Sequence, residues 1–139
     1  MANNDTVTLK VVTPEGVALD TEIEFARFPG KSGELGIYPN HSATLSELKE
    51  GFITLTKDSG QKEFYFIKKG YAHIRPEQVL LITPFIEKQD EIDKERAEKS
   101  LKRASERLTD SQTNQEIDPE RARLSKLRAN ERLHTLTLN

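Results

Sequence analysis

Residues 79–97 read VLLITPFIEKQDEIDKERA, and the period of the hydrophobic pattern changes within this stretch. Its first part, residues 79–83, is a short apolar run typical of a β-strand, and Pro84 ends that run. From Asp90 onward the pattern fits a helix, with Asp90 as a candidate N-cap and Asp93 three residues later. The sequence therefore predicts a β-domain before this stretch and helices after it.

Short runs upstream alternate apolar and polar residues, as half-buried strands do. In the first run the apolar positions are Val7, Leu9 and Val11. The second run is predicted to place two sets of side chains on opposite faces: Ile23, Phe25 and Arg27 on one, and Glu22, Glu24 and Ala26 on the other. These runs predict the first strands of a sheet.

The middle of the chain continues this pattern. Residues 52–56 and 64–67, with a glycine-containing turn at 58–60, predict a β-hairpin. Residues 71–74 form another run, followed by a turn in which Pro76 is well tolerated. Many short strands with regular turn signals favour an all-β sandwich or barrel.

Downstream, two segments repeat at an offset of 25 residues. Residues 92–108 read IDKERAEKSLKRASERL and residues 117–133 read IDPERARLSKLRANERL, so 11 of 17 positions are identical. Asp118 and Pro119 suit the N-cap and the first helical position, and residues 109–115 form a polar connector. Two similar helices with a short connector are predicted to fold back as an antiparallel hairpin.

Small residues are expected to let the two helix backbones approach closely, with leucines filling the seam. The small residues are Ala97, Ala104, Ala122 and Ala129, and the leucines are Leu101, Leu108 and Leu133. Because this apolar stripe is thin and isolated helices of such length are weak in water, the hairpin is predicted to be marginally stable alone.

Charge divides the chain at the same place. Residues 1–86 carry 9 Lys/Arg and 11 Asp/Glu, whereas the shorter segment 87–139 carries 12 of each. The first segment can therefore enclose a hydrophobic core, while the second must pack against something else. We predict a sandwich domain over residues 1–86 and a two-helix domain over residues 87–139.

Composition excludes several function classes. A net charge of −2 argues against general nucleic-acid binding, which needs a sustained basic face. The chain has no cysteine, which excludes disulfides and thiolate chemistry. The N-terminus shows no secretory signal, and no run of 18 apolar residues occurs, so membrane association is expected only through a partner.

Nothing in the sequence resembles an active site. The three histidines, His41, His73 and His134, lack metal-ligand spacing. The spacing of Gly30, Gly33 and Gly36 lacks the Lys-Ser/Thr of a phosphate-binding loop. No nucleophile lies in a recognisable catalytic motif. We therefore predict a non-catalytic protein without a metal.

Two features favour binding functions. Residues 29–40, followed by His41, are interpreted as a long glycine-rich loop and a candidate interaction surface. The hairpin also carries arginines at helical spacing: Arg96, Arg103, Arg121, Arg128 and Arg132. They form either a solvated face with ion pairs such as Glu95–Lys99, or a surface that binds phosphates or an acidic protein segment.

Residues 33–41, GELGIYPNH, resemble the G-x-x-G-I-x-P-x-H segment of the epsilon subunits of bacterial F-type ATP synthases. Residues 48–51 and 91–97 are also similar to the family, and the resemblance covers essentially the whole chain in order. Two departures are Ser42-Ala43-Thr44, which lacks the family's usual proline, and Lys69-Gly70-Tyr71 in place of Gly-Gly-Phe.

The resemblance implies an α+β protein, with an N-terminal ten-stranded β-sandwich and a C-terminal two-helix hairpin. It implies a rotor subunit of the central stalk, peripheral on the cytoplasmic face of the membrane, whose partners are the gamma subunit, the c-ring and the alpha/beta head. The implied contacts with the c-ring and gamma are Gly33, Glu34, Tyr38 and His41. The hairpin is expected to inhibit ATP hydrolysis by extending into the head.

Some family members bind ATP through an I/L-D-x-x-R-A motif, which residues 92–97 match. The resemblance therefore implies ATP as a regulatory ligand, with no cofactor required and with arginines meeting phosphate. The implied site residues are Glu87, Ile92, Asp93, Arg96, Ala97, Arg103, Arg128 and Arg132. A binding module of another system remains the alternative, and an enzyme is the third possibility.

Overall fold

A computed structural model describes residues 5–139, and the first four residues, which belong to the N-terminus that shows no secretory signal, lie outside it. Ten strands precede two helices. The strands are β1 (Val7–Thr13), β2 (Gly16–Ile23), β3 (Phe25–Gly30), β4 (Gly33–Ile37), β5 (Thr44–Leu48), β6 (Gly51–Thr56), β7 (Lys62–Ile67), β8 (Gly70–Ile74), β9 (Gln78–Ile82) and β10 (Ile86–Lys88). The helices are α1 (Lys94–Asp110) and α2 (Pro119–Leu136). The predicted α+β class, with ten strands followed by two helices, is confirmed.

The strands form one sheet in the order β10-β7-β6-β3-β5-β8-β9-β1-β2, and β4 pairs with β3 beside this path. The pairing of β1 with β9 is parallel, and the other pairings are antiparallel. Strand β3 joins the two halves, because β5 and β6 both pair along one of its edges while β4 pairs along the other. The two halves enclose one core between them, as the predicted β-sandwich requires.

Side chains from both halves of the sheet meet in one hydrophobic core. Leu9 and Val11 of β1 pack in the same cluster as Ile53 and Leu55 of β6, and all four are fully buried. Phe28 of β3 lies in this cluster and is also fully buried. Burial of this apolar surface is the main force that holds the sandwich together.

The alternation predicted from Ile23 to Arg27 is wrong at its second half. Ile23 points inward as expected, but the next inward residue is Ala26, whereas Arg27 is exposed. A backbone bend at Glu24 separates β2 from β3 and changes which face is buried. The Glu24 N–H donates to the Thr56 carbonyl at 2.7 Å, so the bend moves the chain from one edge of the sheet to β6.

The predicted loop over residues 29–40 is also partly wrong, because most of it is a β-hairpin. Strands β3 and β4 pair up to Gly30 opposite Gly33, which leaves a two-residue turn. A Cβ atom on Gly30 would lie 2.3 Å from the Gly33 carbonyl oxygen, and Gly33 has a φ of +139°. Glycines thus permit a tight turn here, and the irregular segment is confined to residues 38–43.

The end of the sheet lies where the two predicted domains meet. Strand β10 pairs with β7, and the predicted boundary between residues 86 and 87 falls inside β10. Glu63 of β7 forms ion pairs with Lys57 and with Lys88 of β10. Burial alone would raise the pKa of Glu63, but these two ammonium groups together lower it. This cluster holds the last strand in register.

Candidate functional site

The second helix begins as the sequence predicts. The Asp118 carboxylate accepts hydrogen bonds from the backbone N–H groups of Glu120 at 3.0 Å and Arg121 at 3.4 Å. Pro119 occupies the first helical position, where its missing N–H leaves no bond unmade. This N-cap fixes the start of α2 beside the connector.

The first helix begins three residues later than the candidate cap at Asp90 predicts. Asp90 lies in a 3-10 turn, Gln89–Glu91, and the Ile92 N–H donates to the Gln89 carbonyl at 3.3 Å. This turn delays the helix, and the N-cap is Asp93, whose carboxylate accepts from the Arg96 N–H at 3.0 Å. Both copies of the repeat therefore use their aspartate in the same way.

The helices pack against each other along the predicted stripe of small residues. All four alanines of this seam are buried: Ala97, Ala104, Ala122 and Ala129. The three seam leucines, Leu101, Leu108 and Leu133, are half-buried. Side chains as small as alanine let the helices approach closely but bury little apolar area.

A cavity of about 600 Å³ lies between α1, α2 and the connector. This volume falls in the range of about 300–1,000 Å³ that is typical of ligand sites. Six cationic side chains line it: Lys68, Arg103, Arg107, Arg121, Arg128 and Arg132. Two carboxylate side chains also line it, Glu116 and Asp118. The excess of guanidinium groups makes this arginine cavity suited to an anion.

The hairpin is attached to the sandwich by two interdomain ion pairs. Arg128 Nε lies 2.9 Å from Glu50 Oε1, and Arg132 Nε lies 3.3 Å from Glu87 Oε1. The Glu50 side chain is only 7% exposed. A carboxylate buried to this degree needs a charged partner, so the position of α2 is coupled to these pairs.

The C-terminal end of α2 is held by an amide side chain from the sandwich side. Gln89 Nε2 donates to the carbonyls of Thr135 and Leu138, at 2.8 Å each. The Thr135 carbonyl also accepts from the Leu138 N–H at 3.3 Å, and carbonyls at a helix C-terminus have room for such further donors. Gln89 thus bonds to two carbonyls at once and fixes the end of the helix near β10.

Aromatic rings of the sandwich extend the contact. The Arg132 guanidinium lies 5.1 Å from the Phe66 ring centroid and 5.3 Å from that of Phe85, and the Lys68 ammonium lies 4.8 Å from the latter. Burial lowers the pKa of Lys68, and the nearby charges of Arg128 and Arg132 lower it further. Three cations therefore lie close together where the cavity meets the sandwich, and the carboxylates of Glu50 and Glu87 offset part of their charge.

The pKa of Glu87, which lies in the same surroundings, is raised. Burial raises the pKa of Glu87, and the Glu91 carboxylate raises it too, while Arg132 opposes both. Its Oε1 and Arg132 Nε are buried without a well-formed hydrogen bond among the described residues. This pair is consequently the weaker of the two interdomain ion pairs.

The structure brings together some of the residues implied as an ATP site. Arg103, Arg128 and Arg132 line the arginine cavity. Five others lie outside its lining: Glu87, Ile92, Asp93, Arg96 and Ala97. Among these, Asp93 caps α1, Glu87 pairs with Arg132, and Ala97 is buried in the seam.

The four residues implied as contacts to the c-ring and gamma lie along β4 and the segment after it. Gly33 and Glu34 begin β4, where Glu34 lies 3.5 Å from Arg27. Tyr38 and His41 follow the far end of β4, about 13 Å away at roughly 3.3 Å per residue. Tyr38 is 63% exposed and its ring packs on Phe25 at 4.5 Å.

The sequence interpretation missed four residues that contribute to the cavity or hold the hairpin: Glu50, Lys68, Gln89 and Arg107. Of these, Arg107 could have been found, because the offset of 25 maps it onto Arg132. Glu50, Lys68 and Gln89 carry no such signal, since only the fold brings them to α2.

The outer face of the sheet carries an exposed apolar row away from the arginine cavity. Cross-strand pairing aligns side chains of β8, β9, β1 and β2 in one row: Tyr71, Ile82, Val12 and Val17. Three of them are about half exposed, Tyr71 at 54%, Ile82 at 49% and Val17 at 57%. Contiguous exposed apolar side chains are the kind of surface that protein partners cover in other proteins.

Within residues 5–139 no cluster of histidine and carboxylate side chains has the arrangement of a metal site. Over the same part of the chain, neither helix is long and apolar enough to cross a membrane.

Known proteins share both the sequence and the fold. Residues 6–89 match the family described as "ATP synthase, Delta/Epsilon chain, beta-sandwich domain". The chain is 42% identical over 103 residues to an ATP synthase epsilon chain of Bacillus subtilis, covering 74% of this chain and 77% of the relative. It is 34% identical over 107 residues to that of Thermodesulfovibrio yellowstonii, covering 77% and 76%.

A solved structure shares the fold across both domains. It is a chain of the mitochondrial ATP synthase of Euglena gracilis, with a TM-score of 0.78 at 20% identity, covering 91% of this chain and 81% of that one. At this identity the likeness shows the fold alone. The sandwich match and the curated relatives show more: this chain belongs to the delta/epsilon chain family of ATP synthases.

Proposed function

We propose that this chain is a non-catalytic rotor subunit of a bacterial F-type ATP synthase, which couples ion translocation to ATP synthesis and inhibits ATP hydrolysis through its helices. Family membership supports the assembly. The observation that carries the inhibitory role is that exchangeable polar contacts, two interdomain ion pairs and a side-chain cap, join α2 to the sandwich. Contacts of this kind can be exchanged for those of a partner.

The sandwich supplies the permanent attachment in this proposal. The apolar row that contains Tyr71, Ile82 and Val17 docks on the gamma subunit, because burying it excludes water from a surface that is half exposed in the free chain. Tyr38 and His41 contact the c-ring from another position. They lie at the Thr44 end of β5, whereas Glu50 and the hairpin lie at its Leu48 end.

The helices supply the movable part. When the hairpin leaves the sandwich, Arg128 and Arg132 lose Glu50 and Glu87, and an acidic segment of the catalytic head takes over as their partner. The two states then make similar numbers of charge-assisted contacts, so their free energies are comparable. Through these partners the subunit lies at the cytoplasmic face of the membrane.

ATP adjusts this balance in the proposal. The arginine cavity is formed between helices that are folded against each other, so an anion that binds there stabilises the compact state. Arg103 is exposed and faces the cavity, which makes Arg103→Ala the direct test. Calorimetric titration should give saturable ATP binding to the intact chain and a loss of binding in the variant. No binding to the intact chain up to millimolar ATP would refute the ATP response.

A truncation tests the inhibitory role separately. Removing residues 93–139 keeps β10, which pairs with β7, and deletes both helices. Reconstituted with the other subunits, the truncated chain should assemble normally and the complex should hydrolyse ATP faster. Normal assembly with unchanged hydrolysis would contradict inhibition by the hairpin, whatever the titration shows.

A further inference from the structure

Lys68 is the contribution of the sandwich to the wall of the arginine cavity. Among the described residues that line this cavity, Lys68 alone comes from the sandwich, and it directly follows Ile67, the last residue of β7. Its side chain is half-buried, and its Nζ lies 4.8 Å from the centroid of the Phe85 ring. The amine therefore lies on a wall that a small molecule in the cavity can reach.

The Lys68 ammonium lacks a counter-ion within the described chain. Throughout residues 5–139, no carboxylate lies within salt-bridge distance of it. Two other lysines near β7 differ in this respect, because Lys57 and Lys88 both pair with Glu63. A partly desolvated lysine without such a pair is disfavoured in its charged form.

The surroundings of Lys68 favour its unprotonated, nucleophilic form. A lysine amine is activated when it is desolvated or lies beside another cation. Both conditions hold here, since burial lowers the pKa of Lys68 and the charges of Arg128 and Arg132 lower it further. The carboxylates of Glu50 and Glu87 oppose this shift without reversing it. We therefore expect Lys68 to react with electrophiles faster than an ordinary exposed lysine does.

The rest of the cavity selects the electrophile. Three of its arginines have no carboxylate within salt-bridge distance in residues 5–139: Arg103, Arg107 and Arg121. Guanidinium groups bind phosphate oxygens through paired N–H donors. A small electrophile that carries a phosphate group is therefore concentrated in the cavity that Lys68 lines. An acyl phosphate has both the phosphate and a reactive carbonyl carbon.

We propose that Lys68 is an acylation site, modified by a small acyl phosphate whose phosphate group binds the arginines of the cavity. The unprotonated Nζ attacks the carbonyl carbon, and an N–C bond forms while the C–O bond to phosphate breaks. Inorganic phosphate leaves with the electron pair of that bond, and the amine proton passes to water. Nothing is oxidised or reduced, and the product is an amide on Lys68.

Acylation changes the charge at the contact between hairpin and sandwich. An acyl-lysine is uncharged, so the modification removes one positive charge beside Arg128 and Arg132, together with the cation–π contact to Phe85. These two arginines hold the interdomain ion pairs. The modification thus acts on the same contact as the proposed regulation, and it does not depend on ATP binding.

Lys69 supplies a matched control inside the same chain. It is the next residue, it is exposed, and it lies outside the lining of the cavity. The folded full chain is treated with acetyl phosphate near pH 8 and then cleaved after Glu63 and Glu77. Both lysines lie in the resulting peptide, residues 64–77, and its fragment masses show which of them carries the acetyl group. Acetic anhydride, an acetyl donor without phosphate, is used in parallel.

With acetyl phosphate, Lys68 should be acetylated faster than Lys69. The ratio of the two rates should exceed the ratio obtained with acetic anhydride roughly tenfold, since a charge-assisted hydrogen bond to the phosphate contributes about that factor to binding. Unfolding the chain in urea should abolish the preference. Equal or faster acetylation of Lys69 by acetyl phosphate would overturn the proposal, and so would equal ratios with the two donors.

A pair of variants tests whether the arginine cavity directs the reaction. Arg103 and Lys102 are adjacent exposed cations of α1, and only Arg103 lines the cavity. Arg103→Ala should lower the preference for Lys68 roughly threefold or more, as expected for the loss of one phosphate contact, whereas Lys102→Ala should leave it unchanged. Circular dichroism confirms that both variants are folded. Equal preferences in the two variants would overturn the role of the cavity and with it the proposal.

Discussion

The sandwich and the hairpin are stabilised by different means. The sandwich encloses large side chains such as Phe28, Leu9 and Ile53, which are fully buried, and each contributes about 1.5–3 kcal/mol by leaving water. The buried seam of the hairpin is made of alanines, whose single methyl groups contribute far less. A domain with its own core keeps its shape in any assembly, whereas a pair of helices without one takes the position that its partners favour.

Within residues 5–139, the contact between the sandwich and the hairpin, like the hairpin itself, contains no core of large apolar side chains. It includes two ion pairs, a side-chain cap, ring contacts of Arg132 and the edge-to-face packing of His134 on Phe52. A partly buried ion pair contributes little net stability over water, but losing one partner is costly. Such contacts specify where the hairpin lies without fixing it there permanently, as a regulatory element requires.

The largest effect is expected from breaking the sandwich itself. Phe28→Ala removes a fully buried ring from the shared core and should lower the free energy of unfolding by about 3–5 kcal/mol. Urea unfolding followed by far-UV circular dichroism measures this. A loss below about 1 kcal/mol would mean that the core is not the source of the sandwich's stability.

A smaller effect, confined to the hairpin, is expected from Arg128→Ala. This change leaves Glu50 buried without its partner, at a cost of about 1–3 kcal/mol. Subtilisin should therefore cleave the hairpin roughly 5- to 150-fold faster, because cleavage follows the open population, while the sandwich stays intact.

The repeat supplies the control for this experiment. Arg103→Ala removes the equivalent arginine, which has no carboxylate partner within the described chain. Its effect on stability should stay within about 0.5 kcal/mol. Equal cleavage rates for the two variants would show that the Glu50 pair does not hold the hairpin.

A change of pH should alter the stabilising contributions of Glu63 in the sandwich and of Glu87 at the hairpin contact in opposite directions. The pKa of Glu63 is lowered, so its stabilisation is present above the ordinary value of 4.5 and is lost as the pH falls through the lowered pKa. The pKa of Glu87 is raised, so its favourable contribution is present below 4.5 and is lost as the pH rises through the raised pKa.

At pH 7, Glu63→Gln should therefore destabilise the chain, and Glu87→Gln should leave it at least as stable. Thermal unfolding of both variants between pH 4 and pH 7 measures this. The effect should be smaller than that of Arg128→Ala, because the cations left behind, Lys57, Lys88 and Arg132, are more exposed than Glu50. If only Glu87→Gln lost stability at pH 7, the ionised Glu87 carboxylate would be the stabilising form, which contradicts its raised pKa.

The smallest effect is expected on the solvent side of α1. Glu95 and Lys99 form the predicted pair at 3.1 Å, with side chains 78% and 70% exposed. Lys99→Ala should cost only about 0.3–0.5 kcal/mol in hairpin stability, and 1 M salt should abolish the difference from the unsubstituted chain. A cost above about 1 kcal/mol would mean that surface pairs, rather than contacts with the sandwich, hold the helices.

Much of the fold follows from local sequence signals. The strand and helix periods, the Asp118-Pro119 start and the alanine seam are properties of neighbouring residues, and all are present in the structure. The errors occur where tertiary contacts decide. The bend at Glu24 reflects a change of pairing partner, and the 3-10 turn moves the helix start from Asp90 to Asp93.

The candidate site could be predicted only in part for the same reason. Periodicity identifies the arginine faces of the two helices, including Arg121 and Arg128, because they recur along one chain segment. It gives no sign that Glu50 reaches Arg128, since 78 residues separate them. Nor does it show which arginines the sandwich neutralises, because Glu87 and Glu50 reach α2 only in the folded chain.

Hydrogen exchange of backbone amides tests most directly the claim that the hairpin can leave an intact sandwich. In the isolated chain, amides of α1 and α2 should exchange with an opening free energy well below that of the core strands β1 and β6, and the exchange of the strands should match global unfolding. Equal protection of helices and strands would show that the two regions unfold as one unit, which would contradict a movable hairpin.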